Sequence, residues 1–540
     1  MTAEPVATRW LTAEQLGPHF DDGGPVVLIE SHEVFRRRPT HRQKAHLYVS
    51  ALRHRARQLG DRVELVESSS YADALGARGL TGDRLEVVGA TSWAVRALVE
   101  RLGATVLPDR GFVTSRDDFA AWAEGRKPSQ LVMDRFYRFV REESGILMEG
   151  SAPAGGQFSF DADNRERPPK GTATLGLPAP WAPEEDDIDA EVRATLDALE
   201  ADGVRFLGSD GPRQFAATRE EALAALDDFI EVRLGDFGPF EDAMLAGDSV
   251  MAHSRLSVPL NLGLLHPLEV VERVVAEYAA GRAPLNSVEG LVRQLIGWRE
   301  WVWHLYWHLG PDYTTSNNAL DARTPLPASW WAFDSAVIAD EVEAACLSSV
   351  LTDVAQRGWA HHIPRLMVLG NHALQRGYDP VELTRWFQGA FVDGTPWVMP
   401  ANVVGMSQWA DGGVVATKPY ASGGAYIQRM SDYCGSCRFD PKKRVGEDAC
   451  PFTAGYWAFL DRVEPSIRGN HRMAQPLAGL RRLADREQLV AQERARTDPP
   501  RRAAPRPLWA RSGTNGRSSS PQAPLCARSG TKGTGPRLGA

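Results

Sequence analysis

Tyr433-Cys-Gly-Ser-Cys-Arg-Phe-Asp-Pro441, with Asp448-Ala-Cys-Pro-Phe452 shortly after it, holds three of the chain's five cysteines in the spacing C-x2-C-x12-C, the last directly before Pro451. Three chemistries compete for such a pattern. A lone C-x2-C suits a thioredoxin-like redox pair, but that needs a strand before it and a helix opening on it, and it leaves Cys450 idle. Structural zinc sites usually carry two paired knuckles, or one C-x2-C with a spaced histidine pair, and neither is present. One pair, one singleton ending in Cys-Pro and one distant cysteine, Cys346, suit four thiolates around an iron–sulfur cluster better. On spacing alone, zinc and unligated thiols stay open.

The neighbourhood narrows the choice. Gly405-Met-Ser-Gln-Trp-Ala-Asp-Gly-Gly413, Lys418-Pro-Tyr420, Tyr426-Ile-Gln-Arg-Met-Ser431, the cysteines and Pro451-Phe-Thr453 stand in the order found in iron–sulfur bacterial cryptochromes and photolyases, the prokaryotic (6-4) type related to deoxyribodipyrimidine photolyases. The chain resembles that family over most of residues 25 to 475. The resemblance implies an α/β doubly wound parallel-sheet domain followed by a large all-α FAD-binding domain, the photolyase/cryptochrome fold. It also implies Cys346, Cys434, Cys437 and Cys450 as ligands of a [4Fe-4S] cluster.

A chain of 540 residues with 43% hydrophobic content is long enough for two or three domains with real cores. It contains no run of about eighteen apolar residues, so no membrane span is expected. Met1-Thr-Ala-Glu-Pro5 offers neither a basic segment nor an apolar core, which predicts a cytoplasmic protein in a reducing compartment. The net charge of −8 conceals a split: from Arg496 to the end nine Lys/Arg face one acid, Asp498, so the tail carries +8 and the rest about −16. So acidic a body does not coat DNA, and any nucleic-acid site has to be a local basic groove. The tail is Arg, Pro, Gly and Ser in low-complexity order, which predicts disorder and a free Cys526. The boundaries expected are 1–130 for the α/β part, 131–190 for a connector, 191–495 for the helical part and 496–540 for the tail; a monomer is expected.

In chain order, Pro25-Val-Val-Leu-Ile-Glu30 reads as the first buried strand. A helix from His41 to Ala56 follows, with Gly60 as its stop. Arg62–Val66, Arg84–Gly89 and Ala104–Leu107 repeat the strand pattern, with a helix over 92–102, and alternation at this pitch predicts a parallel doubly wound sheet. No G-x-G-x-x-G follows the first strand, so the usual dinucleotide fingerprint is absent. In the resembling family this domain holds a light-harvesting 6,7-dimethyl-8-ribityllumazine, and Glu30, Lys44 and Arg53 fall in the matching stretches; the same charges also suit strand and helix ends in water.

Residues 131–170 interleave aromatics with Gly, Asn and Arg, as a connector between domains does, and Gly155-Gly156 is a weak phosphate-cradle signal. Pro168–Asp187 reads as an exposed linker. Beyond residue 190 the apolar spacing is helical throughout. Two segments carry more than packing requires. In His253-Ser-Arg-Leu-Ser257, two hydroxyls and a guanidinium precede a helix start and favour a pyrophosphate, although an ordinary serine cap fits too. In Glu289–Trp301, the side chains of Arg293, Gln294 and Glu300 suit a polar pocket or surface pairs. Both match the photolyase flavin site, which implies Ser254, Arg255, Leu256, Ser257, Asn261, Gln294, Arg299 and Asp393 as FAD contacts.

Most of the sixteen tryptophans belong in core and interface. By the resemblance Trp386 begins an electron relay and Trp331 continues it if about seven residues are inserted before Cys346, while Phe387 stands where some relatives have a redox-active tyrosine. His361 and His362 are adjacent and cannot share a helix face. The resemblance implies His362 as proton donor for pyrimidine (6-4) photoproducts; Leu366 replaces the second histidine of eukaryotic relatives. Met399 stands where a carboxylate near the flavin is expected, and a thioether exchanges no proton. Tyr420 and Tyr426 are implied stacking groups beside a flipped lesion. The expected activity is therefore light-driven repair of UV-damaged DNA, with reduced FAD supplying the electron. A cryptochrome photoreceptor without repair is the alternative, and an iron–sulfur nucleic-acid-binding module of the kind found in primases is a third, disfavoured by the α/β domain.

Overall fold

The computed structural model describes residues 6–127 and 130–497. Five short strands, β1 (Thr8–Leu11), β2 (Val26–Ser31), β3 (Val63–Ser68), β4 (Leu85–Val88) and β5 (Thr105–Leu107), form one parallel sheet in the order β3-β2-β1-β4-β5. β2 is buried along its whole length, as a strand covered on both faces has to be. β1 lies at the centre, pairing Trp10 with Val27 on one side and with Val87 on the other. It precedes the run expected as the first strand. Four residues with only two of them strongly apolar give too little periodicity to be read from sequence. The strand order reverses between β1 and β4, and the crevice beyond the carboxyl ends at such a point is where open parallel sheets bind ligands.

The helix Arg42–Leu59 is capped by His41, whose Nδ1 accepts the Gln43 N–H at 3.2 Å, and it stops at Gly60, which takes φ +58°. It ties the sheet to the helix Asp187–Ala201 through a buried ionic seam. Asp189 accepts from His46 Nε2 at 3.0 Å, from Ser50 Oγ at 2.5 Å and from Arg213 Nε at 2.9 Å, and Arg213 also reaches Glu221 at 2.7 and 2.9 Å. The largest apolar cluster then runs without interruption from Leu11, Leu28 and Leu47 in the α/β part to Leu256, Leu295 and Trp301 in the helical part. The connector helix Met133–Ser144 packs into it as well, and Gly155 meets Leu285 and Phe160 side chains rather than a phosphate-sized opening.

The helical part departs from sequence expectation in one systematic way. Long helices are interrupted by wide π turns at Phe229–Arg233, Arg293–Arg299, Pro364–Gly370 and Pro400–Ser407. Three of these four lie in or directly beside the segments that carry the expected site residues, which is where π turns tend to occur. The terminal helix runs from Arg486 to Thr497, so Arg496, expected to open the tail, is part of the fold: it bonds Glu493 at 2.8 Å and the Ala449 carbonyl at 2.9 Å. The expectations of a disordered tail and a free Cys526 lie outside the described residues. Among the described residues no helix is long and apolar enough to cross a membrane.

Candidate functional site

The residues expected around a flavin converge on one carboxylate. Asp393 follows the helix Pro380–Ala390; its Oδ2 accepts the Ser257 hydroxyl at 2.8 Å, both of its oxygens accept Arg365 at 2.8 and 3.1 Å, and its backbone carbonyl accepts Asn261 Nδ2 at 3.0 Å. Arg299 extends the network through Asn261 Oδ1 at 2.5 Å and the Leu260 carbonyl at 2.9 Å. Ser257 is exposed although it is bonded to a buried carboxylate, so it lines a recess. The helix it opens, Ser257–Asn261, is short, and Arg255 before it takes φ +58°, a conformation that costs a non-glycine residue energy. Arg255 itself turns to the Trp181 and Gln214 carbonyls, at 3.3 and 2.9 Å, rather than into the recess. Leu256 is core, and Ser254 caps it locally. Gln294 donates to Glu241 at 2.7 Å and Glu300 accepts Val113 and Thr114 N–H groups at 3.0 Å, so the latter joins the two parts instead of lining a pocket. Within this network the buried Nε of Arg299 has no acceptor in the protein. An unmatched guanidinium donor in a buried network fits a polyanionic cofactor such as a dinucleotide.

A second group of side chains faces an adjoining recess. His361 and His362 precede the π turn Pro364–Gly370, whose Arg365 is the partner of Asp393. His253 comes from a segment more than a hundred residues earlier and stacks on His361, ring centroids 4.1 Å apart, with His362 at 5.3 Å. His253 and His361 are buried, and His362 is open to solvent at its ring yet ringed by protein. Burial, then Arg365 and Arg293, hold the His362 imidazole below its ordinary range. Tyr420 shares the field of Asp161 with His362 and that of Arg165 with Tyr426, which also feels Asp242 and Arg429. Arg165, Arg429 and Arg472 supply local positive charge there, and Asp161 is tied to Arg293 at 3.0 Å.

Trp386 is 1% exposed, and its indole N–H donates to the Trp330 carbonyl at 2.7 Å. Among the rings around it is Trp330, centroids 4.9 Å apart, which in turn meets Tyr378 at 5.7 Å. Trp331 is half-buried and donates to Glu382 at 3.3 Å. The segment Ser335–Glu341 forms a helix of its own before Cys346. Met399 is 3% exposed in the apolar cluster that includes Trp386 and Phe391.

A cleft opens at the carboxyl ends of β1, β4 and β5, the switch point of the sheet. Glu14, Gln15, Thr91, Asp109, Asn261 and Arg299 give it polar walls, and Phe112, Trp303 and Trp397 give it aromatic ones. Burial pushes Glu14 up to about 8 against the opposing pull of Lys44 and Arg299. Lys44 bonds the Gln388 and Gly394 carbonyls at 2.8 and 2.5 Å, beside Asp393. Glu30 instead lies against Arg53, at 2.8 and 2.9 Å, outside the cleft lining. Glu14 and Gln15 escaped sequence reading because β1 did.

The four expected cysteines are brought together by three different elements. Cys346 lies in the first turn of the helix Ala345–Arg357, Cys450 is the N-cap of the helix Pro451–Ile467, and Cys434 and Cys437 flank a tight turn. Thiolates at helix N-termini are favoured by the unpaired N–H groups there. As thiols, burial and the proximity of the other sulfurs push Cys346 well above the ordinary value and Cys434 to about 12. Three other sets of side chains bring three ligand atoms within 4.8 Å of one another, but among the described residues no three cysteine sulfurs do. A single zinc at about 2.3 Å from each sulfur would draw every pair to about 3.8 Å. The wider spread fits a multi-iron cluster, which holds its thiolates at separate corners.

The family described as deoxyribodipyrimidine photo-lyase-related protein matches residues 11–205. A (6-4) photolyase of Agrobacterium fabrum is 40% identical over 462 residues, 82% of this chain and 88% of its own length. Among solved structures, a Synechocystis cryptochrome aligns over 92% of this chain and 99% of its own with a TM-score of 0.53 at 13% identity, a likeness of fold. A bacterial class III photolyase from Agrobacterium tumefaciens aligns over 80% and 87%, with a TM-score of 0.49 at 18% identity. On the extent of the Agrobacterium fabrum match and the parallel sheet joined to a helical body, the chain belongs to the deoxyribodipyrimidine photolyase-related family.

Proposed function

We propose that this protein is a light-driven DNA-repair flavoprotein that reverses pyrimidine (6-4) photoproducts. The observation that carries the reading is the position of Arg365, which binds Asp393 of the flavin-side network while belonging to the same segment as His362 of the open recess. A cofactor held by Ser257, Asn261, Arg299 and Asp393 would thus lie next to a base presented to His362.

A bound flavin would supply the light-excited electron. The rest falls to the chain. Tyr420 and Tyr426 would stack the extruded base, and a lesion that unstacks cheaply needs no base-specific contact. His362 would deliver a proton from its imidazole to the lesion. Held below its ordinary range in the free protein, the ring is neutral at pH 7 and takes up that proton when DNA phosphates bring negative charge to the recess. Trp386 would pass an electron to the flavin and be refilled from Trp330 or Trp331. The cysteines at 346, 434, 437 and 450 would hold a [4Fe-4S] cluster, and the switch-point cleft has the aromatic walls and polar groups for a lumazine antenna, with Lys44 behind Glu14.

Met399, buried where a proton-exchanging carboxylate is expected, favours a second reading, a cryptochrome that signals light without repair. The test is illumination of the pre-reduced protein with an oligonucleotide carrying one (6-4) lesion. Return of the two pyrimidines supports repair; flavin photoreduction without any return supports the cryptochrome.

A further inference from the structure

We propose that His253, His361 and His362 form a binding site for one divalent transition-metal ion of the zinc and nickel class. One nitrogen from each ring lies within 4.8 Å of the other two. Among the described residues none of the three rings makes a hydrogen bond to the protein, and His253 Nε2 and His361 Nδ1 are buried with no partner at all. Buried imidazole nitrogens without partners are costly, and two of them beside a third ring that bonds nothing mark a position prepared for a ligand.

Two other groups of side chains are as close together, and in each a carboxylate is already held by arginine. Glu30, of the group with His32 and Glu67, is held by Arg53, while Asp186 and Asp189, of the group with His54, are held by Arg57 and Arg213. The cations nearest the histidines are spoken for in the opposite sense: Arg365 is bound to Asp393 and Arg293 to Asp161. Three neutral imidazoles with a fourth position open to water through His362 make the donor set that zinc and nickel take from proteins. The His253 and His361 rings lie within 19° of parallel, whereas His362 stands at 78° to His253. A shared ion must lie in the ring planes, so one of the stacked pair turns about its soft Cβ–Cγ torsion, which breaks no hydrogen bond.

The binding itself does not depend on the repair reading; its consequence does. An ion on His362 occupies the lone pair that must carry the proton, so metal and lesion repair exclude each other.

The test uses the full-length protein with its cofactors, titrated with Ni²⁺ by calorimetry. One ion per chain is expected, with affinity falling at least about tenfold in both His253→Gln and His361→Gln, since each removes one of three ligands; flavin absorption and circular dichroism report that each variant is folded. Absence of Ni²⁺ binding, unchanged binding in both folded variants, or a thiolate-to-metal absorption band tracing the ion to the cysteines overturns the site. In a parallel repair assay, added Ni²⁺ is expected to stop wild-type repair and a chelator to restore it. Ni²⁺ binding that leaves repair untouched overturns the exclusion.

Discussion

The seam around Asp189 and the recess around His362 are both polar interiors, and they are built on opposite plans. At the seam a fully buried carboxylate takes bonds from a histidine, a serine and an arginine, and that arginine is shared with Glu221. In the recess three imidazoles touch one another and bond to nothing in the protein. Desolvating a polar group is recovered only when its partner is supplied. The seam supplies its own and is structure; the recess leaves them out and is a place for something else.

The sharpest way to break this contrast is to mutate one member of each. His362→Asn should lower repair by roughly 10²–10⁴-fold, the usual worth of a general acid, while flavin content and unfolding midpoint stay put; His361→Asn should cost less repair. Arg213→Ala should do the reverse. It strands Asp189 and Glu221, and removing one partner of a buried pair costs about 3–5 kcal/mol, read by urea unfolding with cofactor retained. Equal loss of stability in both variants would erase the distinction.

The cysteines are a third case, proposed to be filled by metal throughout. Cys346→Ser or Cys450→Ser should release iron, from about four atoms per chain, and loosen the helical part, because site assembly and folding are coupled. Zinc without iron in the purified protein contradicts the cluster.

A smaller effect separates seam from cleft by pH. Burial favours a protonated Asp189, but bonds from His46, Arg213 and Ser50 outweigh it and hold the carboxyl well below the usual range. Its contribution is therefore complete above pH about 4 and is lost as pH falls through the depressed value. Glu14 runs the other way. Raised from 4.5 to about 8, it stabilises the fold fully below about pH 4.5 and loses that contribution as pH rises to about 8. Urea midpoints across this range should show Asp189→Asn flattening the acid limb and Glu14→Gln flattening the neutral one.

Much of this was legible because strong local patterns survive folding. The strands at Val26, Val63, Leu85 and Thr105 and the stop at Gly60 lie where apolar runs and a glycine put them. What was lost depended on assembly. β1 is too short to show a period, and with it went the cleft around Glu14 and Gln15. His253 stood in a stretch read for its serines and arginine, and nothing local told that it would stack on His361 across a long loop of sequence. Arg255, expected at a phosphate, is drawn to two backbone carbonyls, and the contact of the Trp330 ring with Trp386 was not foreseen, because contacts between distant rings are set by packing alone.

The central claim is that the recess receives a lesion and that His362 protonates it. The most direct measurement is quantitation of restored pyrimidines after illuminating the reduced, unmutated protein with a (6-4)-lesion oligonucleotide, at rising pH. The account predicts repair, falling as alkalinity removes the proton His362 must carry; a protein that binds flavin, photoreduces it and restores no pyrimidine contradicts it.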